Sequence, residues 1–345
     1  MTSLIEPPWE VLCDLLLKGK LIPFLGAGAS AYCCDQPGGA PPTGAALTET
    51  LAKRSQLKPD CECDIAGCTR PRFDLARIAS YYQTCVASRL SLDDLLKEQI
   101  ANPTFTPNPL HYLLARIAGR RPLLVITTNY DDLLERAFND PGDGQPPVPY
   151  EVVVTPADEL AYAEDLDNEG EPGPEHAGAV WHWVSGQGQD DFKPILGSAL
   201  EFDLTRRSVI YKIHGSVPRG GTWRGGYLIA EEDYARFLGQ MDKRGIIPDA
   251  ITSQIARKIK VAVGMKEKTV PMYSLLFLGY GMRDWNLRVL LEGLQVGRRV
   301  AGEELHYAFM KNPDRMERRL LERRSVEVYD CDLAEMVSKT AELLQ

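Results

Sequence analysis

Four short stretches of this 345-residue chain combine residue types able to bind or transform a ligand. Gly26-Ala27-Gly28-Ala29-Ser30 is built of small residues; glycines let the backbone turn sharply and keep side chains out of a ligand's way. At the head of a helix such a loop offers free N–H groups and a positive helix end to a phosphate. Thr127-Thr128-Asn129-Tyr130-Asp131 supplies, in Asn129, a donor and an acceptor of fixed geometry suited to a ribose hydroxyl or a water. His214-Gly215-Ser216 sets beside a glycine an imidazole that titrates near neutrality and can serve as a general base. Gly279-Tyr280-Gly281, followed by Asp284, is the fourth.

Singly, each stretch has a plainer reading. The glycine loop is not a complete G-x-G-x-x-G and lacks the lysine of a P-loop, so a tight strand–helix turn without a ligand fits it as well. Asn129 and Asp131 equally suit a turn, or the cap of a helix starting near Asp132. A lone His214 suits a structural role, as His111 at a helix start and His306 inside an apolar run do. Position joins the four. Each closes an apolar run of strand length: Leu21 to Leu25, Leu123 to Thr127, Val209 to Ile213 and Ser274 to Leu278. In open α/β sheets ligands bind beyond the carboxyl ends of the strands. Four polar ends on one edge converge on one crevice, and Gly26 to Ser30 reads as its pyrophosphate-binding turn.

The intervening segments must position these ends. Strands alternate with helical patterns along the chain, which predicts one Rossmann-like, mostly parallel sheet over residues 1–345, with helices on both faces. Trp9 to Leu17 has the spacing of a helix leading into the first strand. Residues 45–118 read as a helical insertion, with stripes such as Phe73, Ala76, Ile78, Ala79, Tyr82 and Leu92, Leu95, Leu96, Ile100. From Asn139 to Phe192 there is no Lys or Arg, and Asp, Glu, Gly and Pro abound. Residues 139–207 are accordingly expected to form an acidic surface insertion with one strand, Glu151 to Thr155. Trp181-His182-Trp183 within it suits a partner-binding patch, a lid or a locally buried hairpin alike. Later come a helix over Glu231 to Leu238, another over Asp249 to Val263 and a third over Asn286 to Leu294. Two last strands, Glu304 to Met310 and Ser325 to Tyr329, enclose an Arg-rich helix.

Composition bounds the function. The chain is 44% hydrophobic and 25% charged, with a net charge of −9. That balance argues against nonspecific DNA binding and against anionic membranes. No segment is long and apolar enough to span a bilayer. Eight cysteines and no leader-like segment predict reduced thiols and a cytoplasmic protein. Cys61, Cys63 and Cys68 could hold zinc, with Cys33 or Cys34 as a fourth ligand. Structural zinc prefers paired knuckles, though, so free thiols in a loop are expected and no metal is assigned.

Taken together, GAGAS, TTNYD, KIHG and the late GYG-x-x-D, in this order and spacing, resemble the sirtuin-like NAD-consuming proteins. With the DYARFL segment at 233–238, they are most similar to the bacterial branch that acts in antiphage defence. The resemblance runs from about Leu21 to Tyr329 and leaves out the acidic insertion and the cysteine loop. It implies that Gly26, Ala27, Gly28 and Ser30 line the pyrophosphate, with Thr128 also in the binding set. Asn129 would position the nicotinamide ribose or the attacking water, supported by Asp131. His214 would be the catalytic base, and Gly279 and Tyr280 would flank the adenosine half, with Asp284 nearby. The implied activity is NAD+ glycohydrolysis to nicotinamide and ADP-ribose. The implied setting is abortive infection, triggered in a homo-oligomer or by a separate ATPase or sensor subunit. The Trp181 region and the Arg-rich helix Arg315 to Arg324 are the candidate contacts. Two alternatives stand beside it: an NAD-dependent protein deacylase, and a non-catalytic NAD- or ADP-ribose-binding subunit. Deacylating sirtuins carry a four-cysteine zinc module after the catalytic His-Gly; here no cysteine lies between Cys85 and Cys331.

Overall fold

The computed structural model describes residues 6–32, 39–57, 73–156, 179–186, 192–217, 226–241, 247–263, 266–280 and 306–344. Nine of the described strands form one sheet. In chain order these are β1 (Leu21–Leu25), β2 (Leu124–Thr127), β3 (Tyr150–Val154), β4 (Ala179–Val184), β5 (Lys193–Leu196) and β6 (Ser208–Lys212). After the separate hairpin of β7 (Lys258–Val263) and β8 (Lys266–Pro271) come β9 (Ser274–Leu278), β10 (His306–Met310) and β11 (Val326–Asp330). Their order across the sheet is β11-β10-β9-β1-β2-β6-β3-β4-β5. From β11 to β3 every pairing is parallel; β4 and β5 add an antiparallel edge.

A parallel sheet must be covered on both faces, so its strands read as continuous apolar runs. The side-chain period of two then sorts them. Leu21 and Leu25 of β1 pack in one core with Leu12 and Leu16 of α1 (Trp9–Leu17), Leu113 and Leu114 of α6 (Pro109–Arg120), Phe138 of α7 (Leu133–Asn139) and Met336 of α11 (Leu333–Leu343). Ile22 and Phe24 face the other way, toward Tyr234 and Phe237 of α8 (Glu231–Met241), Ile251 of α9 (Asp249–Ala256) and Leu321 of α10 (Arg315–Glu322). A third apolar cluster belongs to the helices between β1 and β2. It joins α3 (Gly44–Arg54), α4 (Leu75–Tyr81) and α5 (Arg89–Ile100) to Val217, Tyr227 and Ile229 beyond β6. The short α2 (Ala27–Ala31) follows β1 directly.

Two sequence expectations change. Residues 139–207 hold more than the one expected strand: their described part supplies three strands of the sheet. Every residue of β3 is buried, and Trp181 on β4 is 1% exposed within the core. The helix expected over Asp249 to Val263 stops at Ala256. Lys258 to Val263 instead pairs antiparallel with β8, as the alternation of Lys258, Lys260 and Ala262 with Ile259, Val261 and Val263 permits. The expected helix over Asn286 to Leu294 and the cysteines at 61, 63 and 68 lie outside the described residues.

Candidate functional site

The chain leaves β1 for β2 on one side, whereas β9 proceeds to β10 on the other. The carboxyl ends of β1 and β9 therefore border the point where strand order reverses, where an open sheet has its crevice. The two loops beyond them are stitched together. Gly26 N–H donates to Leu278 O at 2.9 Å, and Gly28 N–H to Gly279 O at 2.9 Å. A Cβ on Gly26 or Gly28 would lie 2.8 Å from Gly279 O. One on Gly279, whose φ is +74°, would lie 2.1 Å from Ala29 N. These glycines are thus required for loop-on-loop contact, a demand additional to any ligand's. Tyr280 closes the seam from above: its hydroxyl donates to Leu25 O and lies 3.0 Å from Thr128 Oγ1.

Over this seam opens a cavity of about 1060 Å³. Its wall includes Ala27, Gly28, Ser30, Thr128, Asn129, Asp131, His214, Gly279 and Tyr280. Gly26 packs behind them, and Asp284 lies outside the described residues. The cavity extends to Phe73 and Leu75 beside the helical module, and to Lys311 and Asp332 at the ends of β10 and β11.

Asn129 is 9% exposed. Its Nδ2 donates to Ser30 Oγ at 2.9 Å, while Oδ1 accepts no hydrogen bond from any described residue. A buried amide oxygen left without a donor is costly unless something else fills the role. The Asp131 carboxylate accepts from Leu133 N–H at 3.1 Å. Burial pushes the Asp131 carboxyl above its ordinary range, and Lys212 pulls against that shift.

Beneath this row lies a polar layer that sequence reasoning missed. Lys212, in the middle of an apolar strand pattern, is 1% exposed. It donates to Asp131 O and pairs with Glu135 Oε1 at 3.0 Å. Asn108 caps α6 by accepting from Leu110 N–H and His111 N–H, and donates through Nδ2 to Ala29 O at 2.7 Å. One side chain therefore starts α6 and ties down α2. His111 accepts from Asn108 N–H at 3.1 Å, and burial lowers its pKa to about 4. The only signal in the sequence was a lysine interrupting an apolar run.

His214 is 5% exposed, and burial lowers its pKa to about 3, so the ring is neutral at pH 7. Tyr234 and Phe237 of α8 meet it edge to face, at centroid distances of 5.7 and 6.4 Å. Its carbonyl accepts from Leu228 N–H at 3.0 Å. Gly215, at φ +90°, bridges Tyr227 so closely that a Cβ would lie 2.3 Å from Gly226 O. The glycine after the histidine is thus needed for backbone approach rather than to free space beside the ring. Arg89 at the start of α5 locks this turn, gripping the Asp233 carboxylate at 2.8 Å and Tyr227 O at 2.6 Å.

The family model for the SIR2-like domain matches residues 123–329, more than half of the chain. The protein belongs to the SIR2-like domain family. Among curated proteins, none matches the chain. SIR2-like domains are in general NAD-dependent enzymes. The crevice of this SIR2-like domain suits such a ligand in place and size: it lies at the switch point and is large enough for a dinucleotide. Among the described residues no helix is long and apolar enough to cross a membrane.

Proposed function

We propose that this SIR2-like domain hydrolyses NAD+ at the bond between nicotinamide and ribose, giving nicotinamide, ADP-ribose and a proton. The observation that carries the reading is the pairing, in one dinucleotide-sized cavity, of an unsatisfied Asn129 Oδ1 with a neutral His214. Nicotinamide leaves as a neutral base and needs no protonation. The protein has to hold the ribose, admit one water and take up its proton. Asn129 Oδ1 accepts from a ribose hydroxyl or from that water, and His214 receives the proton. Burial lowers the imidazole's basicity, and the two phosphates of a bound dinucleotide raise it by simple charge attraction. A positioned base of this kind is worth about two to four orders of magnitude in rate.

The same reading extends to setting. The motifs of the defence branch suggest an effector of abortive infection, held silent until it assembles or meets an ATPase or sensor subunit. The missing cysteine module after His214 favours hydrolysis over protein deacylation. The test is direct: NAD+ is incubated with the purified protein, alone and with products of neighbouring genes, and products are identified by mass spectrometry. Nicotinamide and ADP-ribose should accumulate, and Asn129→Ala or His214→Ala should remove at least 99% of turnover in folded protein. Nicotinamide release that depends on an acyl-lysine peptide, or parent-rate turnover by folded Asn129→Ala, would defeat the reading.

A further inference from the structure

We propose that Arg89 is a positioning residue for His214: from the helical module between β1 and β2 it fixes the turn at 227–233, on which both the backbone and the ring of His214 rest. The functional half of this inference rests on His214 being the group that takes up the proton in the proposed hydrolysis.

His214 stands two residues beyond the end of β6. Its carbonyl accepts from Leu228 N–H at 3.0 Å, and the next residue, Gly215, bridges Tyr227. Tyr234 and Phe237 set the imidazole edge to face. These four contacts come from one stretch of chain, the turn and the first part of α8.

That stretch is in turn tied to the helical module. The Asp233 carboxylate, 2% exposed, accepts from Ile229 N–H at 3.1 Å and Ala230 N–H at 2.9 Å, closing the start of α8 from within. A carboxylate so deep needs a cation. Arg89 Nη1 donates to both of its oxygens, at 2.9 and 2.8 Å, and Nη2 donates to Tyr227 O at 2.6 Å. Nε donates to Asp93 at 3.1 Å, so every nitrogen of the guanidinium is engaged. Arg236, 3.8 Å from the same carboxylate and 46% exposed, is the weaker partner. The planar fork of Arg89 grips both ends of the turn at once, which a lysine's single ammonium does not do. A second tie lies beside it: Ser80 Oγ donates to Glu232 Oε2 at 2.6 Å and accepts from Glu231 N–H at 2.8 Å.

Asn129 is held from elsewhere. Its N–H donates to Thr127 Oγ1 at 3.0 Å and its Nδ2 to Ser30 Oγ at 2.9 Å, both at strand ends. The glycine seam joins the β1 and β9 loops. None of these bonds involves the helical module, and Arg89, Asp233 and Tyr227 stand behind the cavity wall rather than on it. Releasing Arg89 therefore shifts the imidazole and leaves the dinucleotide cradle in place. Misplacement of a reacting group is costly even when the mutated residue is far from the chemistry.

The experiment uses the full chain labelled with ¹³C at the histidine rings, the His214 signal being assigned from His214→Phe. Its chemical shift, which the two neighbouring aromatic rings make sensitive to position, is measured with kcat for NAD+ and with the Kd for ADP-ribose. Arg89→Met should move the signal and lower kcat by about tenfold or more. The Kd should stay within about twofold. Arg89→Lys keeps a charge without the fork and should fall between parent and Arg89→Met; it carries the test if Arg89→Met does not fold. Leu16→Ala, which opens a cavity in the core on the opposite face of the sheet, controls for lost stability and should leave signal and kcat of the folded protein in place. An unmoved signal in the Arg89 variants overturns the proposal, as does an equal fall in kcat in Leu16→Ala. A Kd that weakens in step with kcat overturns it too, because the whole site would then depend on Arg89. A moved signal with parent kcat overturns the link to the reaction. If the parent does not turn over NAD+, the hydrolase reading fails, while the His214 signal still decides whether Arg89 places the ring.

Discussion

Replacing Gly279 by alanine should open the seam between the β1 and β9 loops. The methyl group would lie 2.1 Å from Ala29 N, 2.6 Å from Gly28 C and 2.8 Å from Ala29 Cα, all backbone atoms that no rotamer change can move aside. At φ +74° a side chain costs about 1–2 kcal/mol by itself, and forcing extra volume into a packed contact costs about 1–3 kcal/mol more. The expected loss is about 2–5 kcal/mol. With about 2.1 cal/mol/K of unfolding entropy per residue, a chain of 345 residues loses about 1.4 °C of melting temperature per kcal/mol. Gly279→Ala should therefore melt about 3–7 °C below the parent. Gly142 is the control, since its φ is +77° but no heavy atom lies within 4 Å of the added methyl. Gly142→Ala bears the conformational cost alone, about 1–3 °C. Differential scanning calorimetry separates the two. Isothermal titration with ADP-ribose should show binding retained in Gly142→Ala and lost in Gly279→Ala. Equal melting shifts, or equal binding, would mean that the loops do not need this contact.

Acid should destabilise the fold beginning near pH 6.5. The pKa of His214 is lowered to about 3 and that of His111 to about 4, so below the ordinary histidine value the unfolded chain binds protons that the folded one refuses. Each site contributes a loss of about 1.4 kcal/mol per pH unit until its folded value is reached. Asp93, raised to about 6, acts oppositely between there and the ordinary carboxyl value. Urea titrations from pH 7 to pH 4 should show the net fall, and His214→Phe should flatten it by one histidine's share. Asn108→Ala removes a helix cap and the donor to Ala29 O. It should cost about 2–3 kcal/mol in urea unfolding and weaken ADP-ribose binding. Arg89→Met leaves the Asp233 carboxylate, 2% exposed, with only the backbone donors of Ile229 and Ala230 and the rim-exposed Arg236. Discounted for an arginine one-third exposed, the loss should be about 2–3 kcal/mol, with faster amide exchange across Leu75 to Ile100.

Sequence reasoning located the crevice because strand ends and turn glycines are local signals: an apolar run that stops at a small or polar residue announces its own carboxyl end. It expected one strand, Glu151 to Thr155, within residues 139–207 and missed Ala179 to Val184 and Lys193 to Leu196, because the polar composition around them masked short strands that pair only with partners distant in the chain. It missed Lys212, Glu135 and Asn108 for a related reason. Each is polar, each satisfies another element's backbone or charge, and only the packing of α6, α7 and β6 brings them together. His111, set aside as structural, indeed sits in that supporting layer and not on the cavity wall.

The bond from Tyr280 to Leu25 joins residues 255 positions apart in the chain. A nascent polypeptide threading from the ribosome makes the glycine turn early and waits until just over four-fifths of the molecule has emerged before the opposing wall arrives. Closing so wide a loop is slow and belongs late in folding. Until then the crevice has only one of its walls, so a chain cut short before Tyr280 lacks the complete cavity.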